Sequence, residues 1–294
     1  MIEEFLNYLR YERNRSELTV STYGRSLRDF ESYFKNRDSQ LSWESVDSDI
    51  IRDWVESMMD KGDMASTVNN CLSAVRSFFR FALARHLVTS DPAHAIKGPK
   101  KNKPLPQFVR EDEMDRLIDI PEMWGDGFSD IRARTIIILF YETGIRLAEL
   151  IGLDIADVDF SLCQLKVTGK RNKQRIVPFG GELGLELRNY ISRRDEEMGG
   201  VGGAALFLND KGQRMTRYQV ECIVRKYLSM VTTLKKRSPH VLRHSFATAM
   251  LNNGASLESL RKLLGHESVA TTEIYTHTTF EQLKKVYEIA HPRA

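Results

Sequence analysis

The chain has 294 residues, room for two cores, since a single core rarely grows past roughly 250 residues. Hydrophobic residues supply 41% and charged residues 28%, the balance of a globular protein, and a net charge of +3 permits a nucleic-acid partner without demanding one. No apolar run reaches the roughly 18 residues that a bilayer span needs, and the opening MIEEFLNYLRYERN has no apolar leader stretch, so a cytoplasmic protein without a membrane partner is expected.

Residues 2–88 read as four amphipathic helices. Phe5, Leu6 and Leu9 recur at helical spacing, as do Val20, Tyr23, Leu27, Phe30 and Phe34, then Ile50, Ile51, Trp54, Val55 and Met58. Ser66–Leu87 carries Val68, Leu72, Val75, Phe78, Phe79 and Phe81, with Ser66 and Thr67 as candidate N-caps. The Pro- and Lys-rich stretch that follows has no apolar period and reads as an extended linker. The expected division is a helical domain at 1–90, a linker at 91–106 and a larger domain at 107–294.

In that larger domain helices are expected near 110–119, 129–143 and 146–152, then 181–197, 216–231, 239–252, 256–264 and 279–289. Gln164–Thr168 and Gln174–Pro178 alternate like two strands joined by a polar turn, and Leu206-Phe207-Leu208 is a further strand candidate. Tyr141, Tyr218 and Tyr227 read as core aromatics. Cys71, Cys163 and Cys222 form no CxxC pair and read as free thiols.

Four places carry chemistry. In Thr143-Gly144-Ile145-Arg146-Leu147-Ala148-Glu149-Leu150, Gly144 ends one helix and Arg146 begins the next, near exposed backbone N–H groups that suit an anion. Glu149 reads as a brace for Arg146. Lys170 lies in the polar turn. In Ser238-Pro239-His240-Val241-Leu242-Arg243-His244, His240 and Arg243 are three apart and share a helical face. The fourth is Leu263-Leu264-Gly265-His266, followed by Thr271-Thr272-Glu273-Ile274-Tyr275-Thr276-His277. A metal site is not expected: Val241 stands where a zincin helix needs Glu, Arg243 would repel a dication, and no carboxylate cluster completes a ligand set.

In these motifs, TGIRLAEL (143–150), VTGKRNKQRIVPF (167–179), SPHVLRHSFAT (238–248) and LLGHESVATTEIYTH (263–277), with the terminal HPRA, the chain resembles the tyrosine site-specific recombinases, most of all their Xer branch. The resemblance runs from end to end. It implies a mainly α fold: a helical, SAM-like core-binding domain, then an α+β catalytic domain with a small antiparallel sheet. It implies a catalytic set of Arg146, Lys170, His240, Arg243, His266 and the nucleophile Tyr275. Arg171 stands where the family commonly has glycine, and Lys173 in the same turn competes with Lys170 as the acid. His244 and His277 read as supporting residues.

The chemistry implied is strand cleavage through a 3′-phosphotyrosine, then rejoining through a Holliday junction, without metal, ATP or other cofactor. Two arginines can fork onto the equatorial oxygens of a pentacoordinate phosphorus. The implied partners are duplex DNA with a short palindromic core site and a tetramer of identical or paired recombinases, linked by a C-terminal helix at 279–294. The chain would be nucleoid-associated, and the lack of an arm-binding segment before residue 2 suits a core-site enzyme. Arg25, Arg28, Arg76, Arg80 and Arg85, with Lys100, Lys101, Lys103, Arg171 and Lys173, are candidate phosphate contacts. The competing expectations are relaxation of DNA by a type IB topoisomerase, or DNA binding without catalysis.

Overall fold

The computed structural model describes residues 1–100, 107–169, 172–199, 203–265 and 277–293, with side chains of the last stretch described from residue 283. It divides into two compact units, Met1–Pro104 and Leu105–Ala294. Lys101, Lys103, Lys170, Arg171, His266 and Tyr275 lie outside the described residues.

The first unit is helical: α1 (Ile2–Asn7), running on as a π-helical turn over Tyr8–Glu12, then α2 (Glu17–Arg37), α3 (Ser48–Asp60) and α4 (Ala65–Ala84). The Ser16 hydroxyl accepts from Thr19 N–H at the start of α2, and the Asp47 carboxylate accepts from Asp49 and Ile50 N–H at the start of α3. The start of α4 differs from expectation: Met64 is the residue before the helix, and Ser66 and Thr67 sit inside its first turn. The periodic apolar faces meet in an aromatic centre where Phe30, Phe34, Trp43, Trp54 and Phe78 lie edge-on or tilted at 4.3–5.7 Å.

The start of the expected linker is packed, not extended. Ala93 and Ile96 are buried in the first unit's core, and Asn69 Nδ2 donates to the Pro99 carbonyl at 2.8 Å. Isolated apolar residues among prolines were enough to dock it.

The second unit contains α5 (Glu111–Asp119), α6 (Phe128–Thr143), α7 (Leu147–Gly152), β1 (Val158–Asp159), β2 (Gln164–Thr168), β3 (Gln174–Pro178), α8 (Gly181–Glu197), α9 (Arg217–Val231), α10 (Pro239–Asn252), α11 (Leu257–Leu264) and α12 (His277–Ala290). From Thr135 to Thr143 every residue of α6 is buried, so this helix is the axis of the unit. The three strands form one antiparallel sheet in the order β1-β2-β3, with Val167 opposite Arg175 and Leu165 opposite Val177. Together the units are a mainly α architecture with one small sheet, the fold class expected.

Two expectations are corrected. Leu206–Leu208 is no strand; it is a buried loop held by single bridges, Asp154 with Ala205 and Leu208 with Arg214. Tyr218 is 72% exposed, because it lies two residues before Val220 and so falls opposite the face that buries Val220, Val224 and Tyr227. Helix α12 packs on its own unit, with Leu283, Tyr287 and Ala290 sharing a core with Phe246, Met250 and Leu264. No described helix is long and apolar enough to cross a membrane.

Candidate active site

Gly144 ends α6 in the left-handed region, φ 58°, and turns the chain sharply into α7. A Cβ there would meet Phe246 Cδ1 of α10 at 2.4 Å, so the tight packing of α6 against α10 also requires glycine. The turn delivers Arg146 to the residue preceding α7, in extended conformation. Glu149 reaches back: its Oε2 accepts the Arg146 backbone N–H at 2.7 Å, and its Oε1 accepts the Arg146 Nη1 at 2.8 Å. Arg146 Nη2 donates to the carbonyl of Gly265 at 2.9 Å.

Arg243 comes from a different helix, α10. Pro239 occupies the first turn of α10, where its missing N–H costs nothing, and Arg243 lies one turn on, 8% exposed. Its guanidinium donates to the carbonyls of Gly144 at 2.5 Å and Leu264 at 2.7 Å. Burial, with the charges of Arg146 and Arg175 beside it, lowers its pKa to about 10, so it remains cationic near neutrality. Arg146 and Arg243 thus hold adjacent carbonyls at the C-terminal end of α11.

His240 stands exposed in the first turn of α10. Partial desolvation, followed by the charges of Lys236, His244, Arg243 and Arg217, holds its pKa below the ordinary histidine value. The imidazole is therefore mainly neutral at pH 7, as a proton acceptor must be. Lys236 and Arg217, which the motifs did not single out, add to this cationic field.

The hairpin is closed by Gly169 N–H donating to the Lys173 carbonyl at 2.7 Å, which puts Lys173 at its neck. Among the remaining candidates, Arg25, Arg80 and Lys100 are exposed. Arg28 pairs with Glu3 at 2.6 Å, Arg85 with Glu12 at 2.7 Å, and Arg76 donates to the Ile96 carbonyl. Arg76 thus serves the packing of residue 96 in this structure. Among the described residues no three His, Cys, Asp or Glu side chains gather as metal ligands would.

One residue at the centre of the site escaped the sequence reading. Arg175 on β3 donates from Nη1 and Nη2 to the two oxygens of Glu149 at 2.7 and 3.0 Å, and from Nε to the Leu263 carbonyl at 3.0 Å. Its signal was strand periodicity: Arg175 shares the face of Val177 and lies opposite Val167, and a cation on an apolar face needs a buried partner.

The phage integrase family model matches residues 107–282, and the N-terminal SAM-like domain of phage integrases matches residues 2–86. The chain belongs to the phage integrase family. Its relatives include "Tyrosine recombinase XerD" of Oceanobacillus iheyensis, 35% identical over all of this chain and 98% of that protein. Another is "Tyrosine recombinase XerC" of Pelotomaculum thermopropionicum, 36% identical over all of this chain and 98% of that one. The chain is accordingly a tyrosine recombinase of Xer type. The fold is shared with XerH recombinase bound to palindromic difH substrate in a post-cleavage complex, at a TM-score of 0.71, 23% identity and coverage of 98% of this chain and 84% of that one.

Proposed function

We propose that this recombinase cuts and rejoins duplex DNA at a short palindromic core site through a covalent phosphotyrosine. The observation that carries the reading is the convergence of Arg146 and Arg243, 97 positions apart in the numbering, on the neighbouring carbonyls of Gly265 and Leu264. Each guanidinium has five N–H donors and spends only some of them on the described residues. What is left suits the equatorial oxygens of a phosphorus under attack, where charge develops in the transition state.

In this mechanism the Tyr275 oxygen attacks the scissile phosphorus. Its proton passes to His240, directly or through water, as the Oη–P bond forms. The bond from phosphorus to the 5′-oxygen breaks, and Lys170, or Lys173 in the same turn, supplies that oxygen with a proton. His266 donates a hydrogen bond to a nonbridging oxygen. A 3′-phosphotyrosine and a 5′-hydroxyl result, and a 5′-hydroxyl from the other duplex reverses the steps, passing through a Holliday junction. The bond energy stays in the phosphotyrosine, so the scheme calls for no ATP, metal or other cofactor.

The working assembly in this reading is a tetramer on two duplexes, of one recombinase or two paired ones, linked through the segment 279–294. Phosphate contacts come from Arg25, Arg28, Arg80, Arg85, Lys100, Lys101, Lys103, Arg171 and Lys173. A nucleoid-associated cytoplasmic enzyme follows, serving chromosome partition at cell division by resolving chromosome dimers, or integration and excision of a mobile element. The relatives' names and the DNA in the XerH complex support the reading.

A nicked suicide duplex tests it. Wild type yields an SDS-stable protein–DNA adduct and Tyr275→Phe yields none; an adduct that persists in Tyr275→Phe refutes the nucleophile. Relaxation of any supercoiled plasmid, independent of core site, would favour the topoisomerase reading instead.

A further inference from the structure

We propose that Arg175 is a positioning residue that aims Arg146 at the scissile phosphate, an inference resting on the function proposed above. Glu149 is a buried carboxylate, and the best partner for such a group is one guanidinium held through both oxygens. Arg175 is that partner: its Nη1 and Nη2 reach Oε1 and Oε2 at 2.7 and 3.0 Å, and its side chain is only 8% exposed. Burial opposes the ionised carboxylate, but hydrogen bonds and charge from Arg175, reinforced by Arg146, outweigh it and hold the Glu149 pKa below its ordinary value.

The consequence falls on Arg146. With the fork of Glu149 occupied, the Arg146 guanidinium makes a single contact to it, through Nη1 at 2.8 Å. The Arg146 side chain stays 37% exposed, with Nη2 on the Gly265 carbonyl. Without Arg175, the carboxylate would be left with one cation, and that cation would turn inward to take both oxygens. Donors that the phosphate needs would then be spent on Glu149.

Arg175 also sets the end of α11. Its Nε holds the Leu263 carbonyl at 3.0 Å, beside the carbonyls of Leu264 and Gly265 held by Arg243 and Arg146. A Cβ on Gly265 would lie 3.1–3.2 Å from the Cδ, Cζ and Nε of Arg175, so the left-handed turn at Gly265, φ 63°, sits directly on this side chain. Three arginines from three elements therefore cap three successive carbonyls, and Gly265 is the residue before His266. Arg175 touches the other two only through Glu149 and this backbone; it holds the aim of groups that meet the substrate.

The test compares single-turnover adduct formation by the full chain on a suicide duplex carrying either a phosphodiester or a neutral methylphosphonate at the scissile position. In both, the Tyr275 Oη–P bond forms and the bond to the 5′-oxygen breaks; the neutral centre has less need of a cation aimed at it. Arg146→Lys sets the reference pattern. Arg175→Lys keeps the charge but loses the fork. It should slow cleavage of the phosphodiester by about 100-fold, the scale for losing an oriented donor, while DNA affinity stays within about threefold. On the methylphosphonate the defect should shrink to less than about tenfold, following Arg146→Lys.

An unchanged rate, or an equal defect on both substrates, would overturn the proposal, because a merely structural role slows both alike. If Arg175→Lys loses the fold, Gly265→Ala, which pushes on the same guanidinium, must show the substrate-dependent pattern; loss of the fold in both variants makes Arg175 a core strut and overturns it. A wild type that forms no adduct with the phosphodiester would instead sink the proposed function, and this inference with it.

Discussion

Glu149 and Arg146 are joined twice: one carboxylate oxygen accepts the arginine's backbone N–H at 2.7 Å and the other accepts its guanidinium at 2.8 Å. The pair starts α7 and orients a site residue with the same four atoms. Glu149→Ala removes both contacts and strands Arg175, a buried cation, without its carboxylate. Loss of one partner of a buried pair costs about 3–5 kcal/mol, so denaturant unfolding should show a drop of that order, and adduct formation should fall with it. Glu149→Gln, which keeps an acceptor, should lose less stability.

Gly144→Ala should destabilise through two independent causes. The left-handed backbone costs a non-glycine residue about 1–2 kcal/mol. The added Cβ, 2.4 Å from Phe246 Cδ1, adds an overpacking penalty of about 1–3 kcal/mol. Combining it with Phe246→Leu, which withdraws the ring, should recover part of the second loss but none of the first. Thermal melts of the three variants separate the two.

The pH–rate profile should follow His240. Desolvation and the surrounding cations depress its pKa, so the neutral, proton-accepting form persists to lower pH than in an ordinary histidine. Cleavage on the acid side should thus have its midpoint below the ordinary value of about 6.5, falling about tenfold per pH unit beneath it. Lys236→Gln removes one of those charges and should move the midpoint upward. A midpoint that stayed in place would show that His240 does not govern that limb.

The chain end should be acid-sensitive. His291 is 4% exposed, stacked on Phe246 and Tyr287 and edge-on to Tyr141, and burial brings its pKa down to about 4. The unfolded imidazole takes a proton near 6.5 and the folded one only near 4. Stability from this group is therefore full above about 6.5 and declines as pH falls toward 4, by about 3 kcal/mol at most. Glu142, pushed up to about 8 by burial, acts in the opposite sense: its contribution is full at acid pH and declines as pH rises from about 4.5 to 8. Urea unfolding of wild type and His291→Phe at pH 7 and pH 4.5 isolates the histidine. The wild type's stability relative to the variant should shrink at the lower pH.

Much of the helical scaffold was legible because burial on one face imposes a 3.6-residue period, as in Val20, Leu27, Phe30 and Phe34. The β2–β3 hairpin was legible from alternation around a polar turn. What escaped depends on partners outside its own segment. β1 has two residues and exists only through pairing with Gln164 and Leu165. Leu206–Leu208 has the composition of a strand, yet its neighbours offer single bridges and no ladder. Of the site, Arg146, His240 and Arg243 stood out through their motifs. Arg175 did not, because its meaning lies in Glu149 and Leu263, 26 and 88 residues away.

The arginine cap on α11 has a bearing on how the protein is made. Its donors leave the ribosome at residues 146, 175 and 243, while the carbonyls they hold arrive last, at 263–265, as far as 119 residues beyond Arg146. Contacts of such long sequence separation close late and together. A chain still being synthesised has the arginines but no scaffold to aim them. The cluster forms only once residues 263–265 have folded against it, so a chain made only as far as Arg243 carries all three arginines but not the cap they make on α11.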